Sequence, residues 1–346
     1  MNNKRVCSLI FVTALMLLCV FLCNIKPYTQ KQHNGGVPNH LDPFVYIHKK
    51  GRVKVKLINS LWHKYHFEAW PCVEVTGPSD SITPYIVFNV TNGDSFQHFF
   101  QDLLYVIHSH KHMLSNCVLI VPNYAHAQYV LSLLSIENDI LQVPYDSEIH
   151  VEGNVTIVNW KKSNGIEGGS EWINMNNIVF PYRQSLFQVL QPSVEGNKII
   201  FVKRNKGRPR AWNSETAKSI EYLLGNICNT SNLELVLFEP DELDMSDLYV
   251  FKDCIHLFST ALCVVSVHGG ANYHIFFCPK SAAFIEVTMP NSFYCARFAW
   301  FIDAANIKYK EIVAKSGNHT SEESVEVDPQ AICDSVCDLI GCKNQT

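Results

Sequence analysis

The sequence predicts an α/β protein with two Rossmann-like halves, because short apolar runs of strand type alternate along it with longer segments of helical period. In the first half, three such runs begin at Tyr85, Cys117 and Val155, and amphipathic stretches over 95–113 and 125–136 separate them. This alternation is typical of successive β-α-β units, in which the strands are parallel.

A polar break over 192–197 introduces the second half, which repeats the pattern. Apolar runs of strand type occupy 198–204, 233–239, 263–270 and 282–287. Helical segments follow them, the last of which begins at Asn291. Either Asn213 or Ser214 suits the N-cap of the first, since both side chains accept hydrogen bonds from backbone amides. We therefore expect two domains, over 46–195 and 196–346.

Composition indicates a folded protein without a strong overall charge. The chain has 346 residues, of which 47% are hydrophobic and 17% charged, against about 25% charged in typical soluble domains. These values exclude intrinsic disorder. The formal net charge of −4 would attract neither nucleic acid nor an anionic membrane, so any anion site must be local.

The amino terminus has the pattern of a membrane anchor. Residues 6–23 contain no charged side chain, and two basic residues precede them. A run of this length predicts a membrane-spanning helix; a cleaved signal peptide is the alternative, but its apolar core is usually shorter and ends at small residues. We expect a cytosolic tail over 1–5, a signal anchor over 6–25 and a stem over 26–45, which makes a single-pass type II protein with a lumenal catalytic part.

Sequons and cysteines agree with a Golgi or ER membrane protein. Five N-x-[ST] sequons begin at Asn89, Asn154, Asn229, Asn318 and Asn344. Ten of the thirteen cysteines lie outside the apolar run, and disulfides could tie down the last three, Cys333, Cys337 and Cys342. Zinc is the alternative for this trio, although no histidine is near it.

The segment 266–287 is the strongest candidate for a binding site. A buried strand ends at His268, Gly269 and Gly270 allow a sharp turn, and a helix then begins. In open α/β sheets this carboxyl edge binds ligands, and a helix N-terminus there attracts anions. Glu286 closes the next strand at the same edge, where it could accept hydrogen bonds from a ribose or a base. A glycine-rich turn and an edge glutamate with packing roles alone are the alternative.

A basic cluster occupies the end of a predicted strand and the loop after it; it comprises Lys203, Arg204, Lys206, Arg208 and Arg210. Planar guanidinium groups bind phosphate through paired hydrogen bonds, so the cluster suits a diphosphate. A solvated charged loop is the alternative. Residues 206–210 also resemble a DNA minor-groove hook, but the anchor and the sequons argue against a nuclear protein, and we expect no nucleic-acid partner.

His98 and Asp102 stand four residues apart at the start of a helical segment, so they share one face of an α-helix. Together they could provide a general base for a hydroxyl group, or they could simply cap the first turn. No D-x-D pair, which would hold Mn²⁺ or Mg²⁺, occurs in the chain. We expect no metal and no cofactor, and the lack of G-x-S-x-G, P-loop and G-x-G-x-x-G motifs disfavours hydrolases, NTPases and dehydrogenases.

Together these segments resemble glycosyltransferase family 61. The resemblance covers residues 85–310 and rests on HFFxD with an asparagine nine residues before it, on the basic cluster followed by Asn213 and Glu215, and on the strand that runs into HGGANYHIFFCPKSAAFIEV. The family includes plant-type core β-1,2-xylosyltransferase, EGF-domain-specific O-GlcNAc transferase and O-mannose β-1,4-N-acetylglucosaminyltransferase. It implies a GT-B fold, an inverting mechanism, a UDP-sugar donor and a glycoprotein acceptor, with no metal.

The resemblance also implies roles for residues. Arg204 and Arg208 look like the diphosphate-binding pair, although Arg210 competes for the second place because the spacing to Asn213 differs by one. His268 looks like the pocket histidine of the HGA motif, which is HGG here. The two halves become an acceptor domain over 46–195 and a nucleotide-sugar domain over 196–346.

Two further residues bear on the donor. Glu286 looks like the carboxylate on the nucleoside side of the pocket. His274 resembles the xylosyltransferase branch at a position where many relatives have asparagine, and it favours UDP-xylose over UDP-N-acetylglucosamine. The alternatives are an O-GlcNAc transferase that acts on extracellular protein domains, and a catalytically inactive lectin or chaperone of the same fold.

Overall fold

The computed structural model describes residues 44–58, 71–89, 93–160, 175–190, 196–204, 207–290, 302, 307–317 and 324–342. The contacts among the residues of Pro43–Thr346 make this range one compact unit. Within the described ranges, no helix is both long enough and apolar enough to cross a membrane. The anchor predicted over 6–25 lies outside these ranges.

The first sheet has six strands in the order β2-β1-β6-β3-β4-β5. Their bounds are β1 Phe44–Lys56, β2 Cys72–Gly77, β3 Pro84–Phe88, β4 Val118–Pro122, β5 Ile140–Val143 and β6 Glu148–Trp160. Strands β6, β3, β4 and β5 run parallel to one another, as predicted, whereas β1 pairs antiparallel with both β2 and β6. The sheet is therefore mixed, with an antiparallel extension on one side.

Three helices accompany the first sheet. Helix α1 is α-helical at Phe96–His98 and Tyr105–Ser109, and the stretch Phe99–Leu104 between these two parts is π-helical. The other two helices are α2 Ala127–Leu133 and α3 Met175–Leu190. The predicted amphipathic segments form α1 and α2. Phe99 and Leu104 of the π-helical stretch are fully buried in the core. The stretch thus packs firmly although its hydrogen-bond geometry is rare.

The second sheet has five parallel strands in the order β8-β7-β9-β10-β11. Their bounds are β7 Lys198–Val202, β8 Glu234–Phe238, β9 Ala261–Val267, β10 Ala283–Thr288 and β11 Lys308–Val313. The first four coincide with the predicted apolar runs. This is the flavodoxin-like order, which reverses between β7 and β9 and leaves a ligand crevice at the carboxyl ends of those two strands.

The helices of the second half are α4 Ser214–Ser231, α5 Leu248–Phe258, α6 Pro329–Ile340 and a 3₁₀ helix over Gly270–Phe277. Asn213 caps α4 as predicted: its Oδ1 accepts hydrogen bonds from the amides of Glu215 at 3.0 Å and Thr216 at 3.2 Å. The helix predicted from Asn291 lies outside the described ranges.

The carboxyl-terminal cysteines lie on and just after α6. Cys333, Cys337 and Cys342 are free thiols in this structure, so the disulfides predicted among them are not formed. Burial raises the pKa of both Cys333 and Cys337 to about 12. Among the described residues, no three His, Cys, Asp or Glu side chains are placed to hold a metal ion.

Candidate functional site

The site forms where the order of the second sheet reverses. Arg204 lies two residues beyond the end of β7, and His268 follows β9 directly. Glu286 lies on β10, in register with Ser266 of β9. Three neighbouring parallel strands therefore bring these side chains to one edge, as the sequence predicts.

A buried hydrogen-bond network centres on Glu286, whose side chain has no exposed surface. His268 Nδ1 lies 2.6 Å from Oε1, Asn272 Nδ2 donates to the same oxygen at 3.1 Å, and the Tyr309 hydroxyl donates to Oε2 at 2.7 Å. An ionised carboxylate only accepts hydrogen bonds, so His268 donates from Nδ1 and presents Nε2 on the opposite side of its ring. Glu286 is thus enclosed by protein groups and acts on the site through His268.

The network extends one step further, to β9. The Ser266 hydroxyl donates to Asn272 Oδ1 at 2.6 Å, which directs the amide group of Asn272 to Glu286. Sequence reasoning found His268 and Glu286 but missed Ser266, Asn272 and Tyr309. For Ser266 the available signal was a polar residue near the end of the otherwise apolar strand β9, because a buried polar side chain needs a partner.

Two arginines of the basic cluster lie beside the turn His268–Gly270, which we call the HGG turn. A Cβ atom on Gly269 would lie 3.8 Å from Arg204 Nη1 and 3.9 Å from Arg210 Nη1. Arg208 is exposed instead, and its carbonyl accepts a hydrogen bond from the Ala211 amide. Of the two candidates for the second arginine, the geometry places Arg210 at the turn.

The backbone and an acidic residue hold this pair of arginines. Arg210 has a left-handed backbone with φ of 65°, a conformation that costs a non-glycine residue about 1–2 kcal/mol. Arg204 Nη1 donates to the Pro209 carbonyl at 3.2 Å, and its Nε lies 3.6 Å from Asp241 Oδ2. The side chain of Asp241 is only 15% exposed.

Lys203 of the cluster is engaged by two carboxylates. It pairs with Glu221 and with Glu239, each at 3.3 Å. Lys206 lies outside the described ranges. Among the described cations of the cluster, Arg204 and Arg210 therefore lie beside the HGG turn, where they suit a bound anion.

The second glycine of the HGG turn, Gly270, lies in close contact with another side chain. Gly269 is extended, with φ of 174°, which any residue can adopt. At Gly270, an added Cβ atom would lie 3.1 Å from Gln97 Oε1. The side chain of Gln97, which sequence reasoning missed, therefore lies against this turn. The sequence predicts that the glycines allow a sharp bend, whereas at Gly270 it is the contact with Gln97 that favours glycine.

His274 lies in an aromatic stack in the core. Its ring centroid is 4.4 Å from that of Phe96 and 4.7 Å from that of Phe258, and the residue is 2% exposed. Nδ1 donates to the Ala271 carbonyl at 2.8 Å. Burial lowers the pKa of His274 to about 4, so the ring is neutral at pH 7. Its donor-binding role stays a prediction; the structure places it behind Phe96.

The two predicted general bases lie on α1. His98 is half-buried at the end of the first α-helical turn, directly after Gln97. Asp102 belongs to the π-helical stretch, and its side chain is outside the described part of the structure. The shared face predicted from their spacing assumes an α-helix, whereas this stretch closes its hydrogen bonds over five residues.

Comparison with known proteins identifies a family by sequence. The family model described as Glycosyltransferase 61 matches residues 96–285, which is more than half of the chain and spans α1, the basic cluster and the HGG turn. No curated protein matches the chain.

Two solved structures resemble the chain weakly. The crystal structure of the flavodiiron protein from Giardia intestinalis has a TM-score of 0.27 and 10% identity, covering 92% of this chain and 97% of that one. Rubredoxin oxygen:oxidoreductase from the anaerobe Desulfovibrio gigas has a TM-score of 0.28 and 9% identity, covering 88% of this chain and 97% of that one. At such scores, neither protein informs the fold or function of this chain.

Proposed function

Because the chain belongs to glycosyltransferase family 61 and is therefore a glycosyltransferase, we propose that it transfers a sugar from a UDP-sugar to a glycan of a glycoprotein. The convergence of Arg204, Arg210 and His268 beside the HGG turn carries this proposal. The turn lies where a doubly wound sheet reverses its strand order, which is the usual nucleotide position. Two guanidinium groups at that position suit the two phosphates of a nucleoside diphosphate.

The proposed reaction is an inverting displacement without a metal ion. The oxygen of the acceptor hydroxyl forms a bond to the anomeric carbon of the donor sugar, while the bond from that carbon to the diphosphate oxygen breaks. A base on α1, His98 or Asp102, takes the hydroxyl proton. Arg204 and Arg210 stabilise the negative charge that develops on the departing UDP. The lack of a D-x-D pair in the sequence supports the metal-independent form.

His268 contributes as an oriented hydrogen-bonding group. Its Nδ1 is engaged by Glu286 within the enclosed network, so the ring has one fixed orientation. Nε2 lies on the side of the ring away from Glu286, and we propose that this nitrogen meets the ligand. We assign His268 to the binding of the diphosphate or of the sugar attached to it.

UDP-xylose is the donor that we propose, with a core mannose of an N-glycan as acceptor. Xylose lacks the acetamido group of N-acetylglucosamine at C2 and the CH₂OH group at C5, so steric exclusion can select it. His274 supports this choice indirectly, because its ring sets the position of Phe96, the residue before Gln97. UDP-N-acetylglucosamine is the competing donor.

A donor and acceptor screen tests the proposal. The full chain is incubated with UDP-xylose or UDP-N-acetylglucosamine and with a mannose-terminated N-glycan or an EGF-like domain, and sugar transfer is measured by mass spectrometry. We expect transfer of xylose to the N-glycan, abolished in Arg204→Ala. Transfer of N-acetylglucosamine alone would reject the xylose choice. If the chain neither transfers nor hydrolyses any UDP-sugar, that result would favour the inactive lectin or chaperone.

We also propose a GT-B arrangement, with the two halves facing a cleft, and an anchored protein of the Golgi or ER lumen. The uncharged run over 6–23 and the sequons support the second proposal. Asn154 and Asn229 are exposed and thus accessible to the glycosylation machinery. Glycosidase treatment should increase the mobility of the expressed protein, and intact microsomes should protect it from protease; the opposite results would contradict a lumenal location.

A further inference from the structure

The amino-terminal turn of α1 is fixed on the second half of the chain. Phe96 stacks on His274 with the ring planes 28° apart, and its centroid lies 6.0 Å from that of Phe251 on α5. A third ring, Phe100, lies 4.8 Å away on α1 itself. These aromatic contacts leave little freedom to the residue that follows Phe96.

That residue is Gln97, and its side chain lies against the HGG turn. A Cβ atom on Gly270 would be 3.1 Å from Gln97 Oε1 and 3.4 Å from Gln97 Cβ. The preceding residue, Gly269, has the guanidinium groups of Arg204 and Arg210 beside it. A carboxamide from the first half and two cations from the second half therefore converge on two consecutive glycines.

A carboxamide in this place has the chemistry of a sugar ligand. It both donates and accepts hydrogen bonds, which matches the hydroxyl groups of a sugar. It is also uncharged, so it does not compete with a diphosphate for the two guanidinium groups, whereas a carboxylate in its place would. In a nucleotide sugar the sugar is bonded to the second phosphate, so a group beside the phosphate ligands is within reach of it.

We propose that Gln97 binds the sugar of the nucleotide-sugar donor and that Gly270 is glycine so that Gln97 can reach it. This inference rests on the proposed function. It assigns donor-sugar selection to the contact between the two halves of the chain, and specifically to a residue that adjoins the candidate base His98. The sugar and the acceptor hydroxyl would then be positioned by neighbouring residues of one helical turn.

The test compares the binding of UDP, UDP-xylose and UDP-N-acetylglucosamine to the full chain by calorimetry. Gln97→Ala should weaken the preferred UDP-sugar about fivefold or more, as expected for one lost hydrogen bond, and should leave the affinity for UDP within about twofold. Gly270→Ala displaces Gln97 and should show the same selective loss. Because both changes remove the same contact between Gln97 and the HGG turn, the double variant should lose no more affinity for the UDP-sugar than either single variant.

Gln97→Glu provides the matched control, since it keeps the shape and adds a negative charge. It should weaken UDP as well as the UDP-sugar, because the carboxylate competes with the diphosphate for Arg204 and Arg210. Equal losses for UDP and UDP-sugar in Gln97→Ala, or an unchanged UDP-sugar affinity, would overturn this inference alone. A wild-type chain that binds neither UDP nor a UDP-sugar would overturn the proposed function and this inference together.

Discussion

Replacement of Glu286 by alanine removes a fully buried carboxylate that accepts three hydrogen bonds. Each buried donor that loses its acceptor costs about 1–3 kcal/mol, and His268, Asn272 and Tyr309 all lose theirs. We expect Glu286→Ala to lower the free energy of unfolding by about 4–5 kcal/mol. That is a large part of the roughly 5–15 kcal/mol that stabilises a typical protein.

Two milder variants divide this effect. Tyr309→Phe removes one donor to Oε2 and should cost about 1–2 kcal/mol with little loss of turnover, because the contact with His268 persists. Glu286→Gln keeps the shape but places an amide hydrogen against one of its former donors. It should cost an intermediate amount and reduce turnover about 10²-fold, since His268 loses its orientation.

Urea unfolding followed by tryptophan fluorescence gives the stabilities, and sugar transfer gives the turnover. A cost below about 1 kcal/mol for Glu286→Ala would show that the carboxylate is not enclosed as described. Full turnover in Glu286→Gln would show that the orientation of His268 does not matter to the reaction.

Three further predictions concern other parts of the site. Arg210→Gly relieves a left-handed backbone and should leave the free energy of unfolding unchanged or raise it by up to about 1 kcal/mol, while turnover falls about 10²-fold. Arg208→Ala is the control, and an equal loss of turnover in that variant would contradict the placement of Arg210 at the HGG turn. The pKa of His274 is about 4 in the folded chain, against an ordinary value of 6.5. Protons therefore bind preferentially to the unfolded state, and the free energy of unfolding should fall by about 3 kcal/mol from pH 7 to pH 4. His274→Phe should remove this part of the pH dependence, and unfolding midpoints at both pH values check it. In the proposed metal-independent reaction, side chains and backbone amides would hold the diphosphate, so UDP binding should survive EDTA; loss with chelator and recovery with Mn²⁺ would refute this.

The strands of the second sheet could be predicted because of their burial. Strands β7, β9 and β10 are covered on both faces, so they are continuous apolar runs that stand out from the sequence. Strand β1 alternates instead: Val53 and Val55 are buried, while Lys54 and Lys56 between and after them are only partly covered. With charges at every second position it does not stand out, and its first residues fall within the range expected to be a stem.

The sequence predicts which site residues lie at the ends of strands, but it does not predict the contacts that these residues make. His268 and Glu286 share an edge because the strands are parallel, but their hydrogen bond depends on the register of β10 against β9. Tyr309 enters from β11, more than twenty residues farther along the chain. The choice between Arg208 and Arg210 depends on one backbone angle, which follows from no residue pattern.

The π-helical stretch of α1 has a consequence for insertions and deletions. A π-helical turn contains one residue more than the α-helical turn it replaces. Deletion of one residue within Phe99–Leu104 would therefore let the stretch return to α-helix with little rotation of the turn before it. A deletion in the α-helical turns on either side would instead rotate Phe96 and Gln97 by about 100° relative to Tyr105–Ser109. Gaps between homologous chains in α1 are thus expected to fall within Phe99–Leu104, where they leave the place of Gln97 on the second half unchanged.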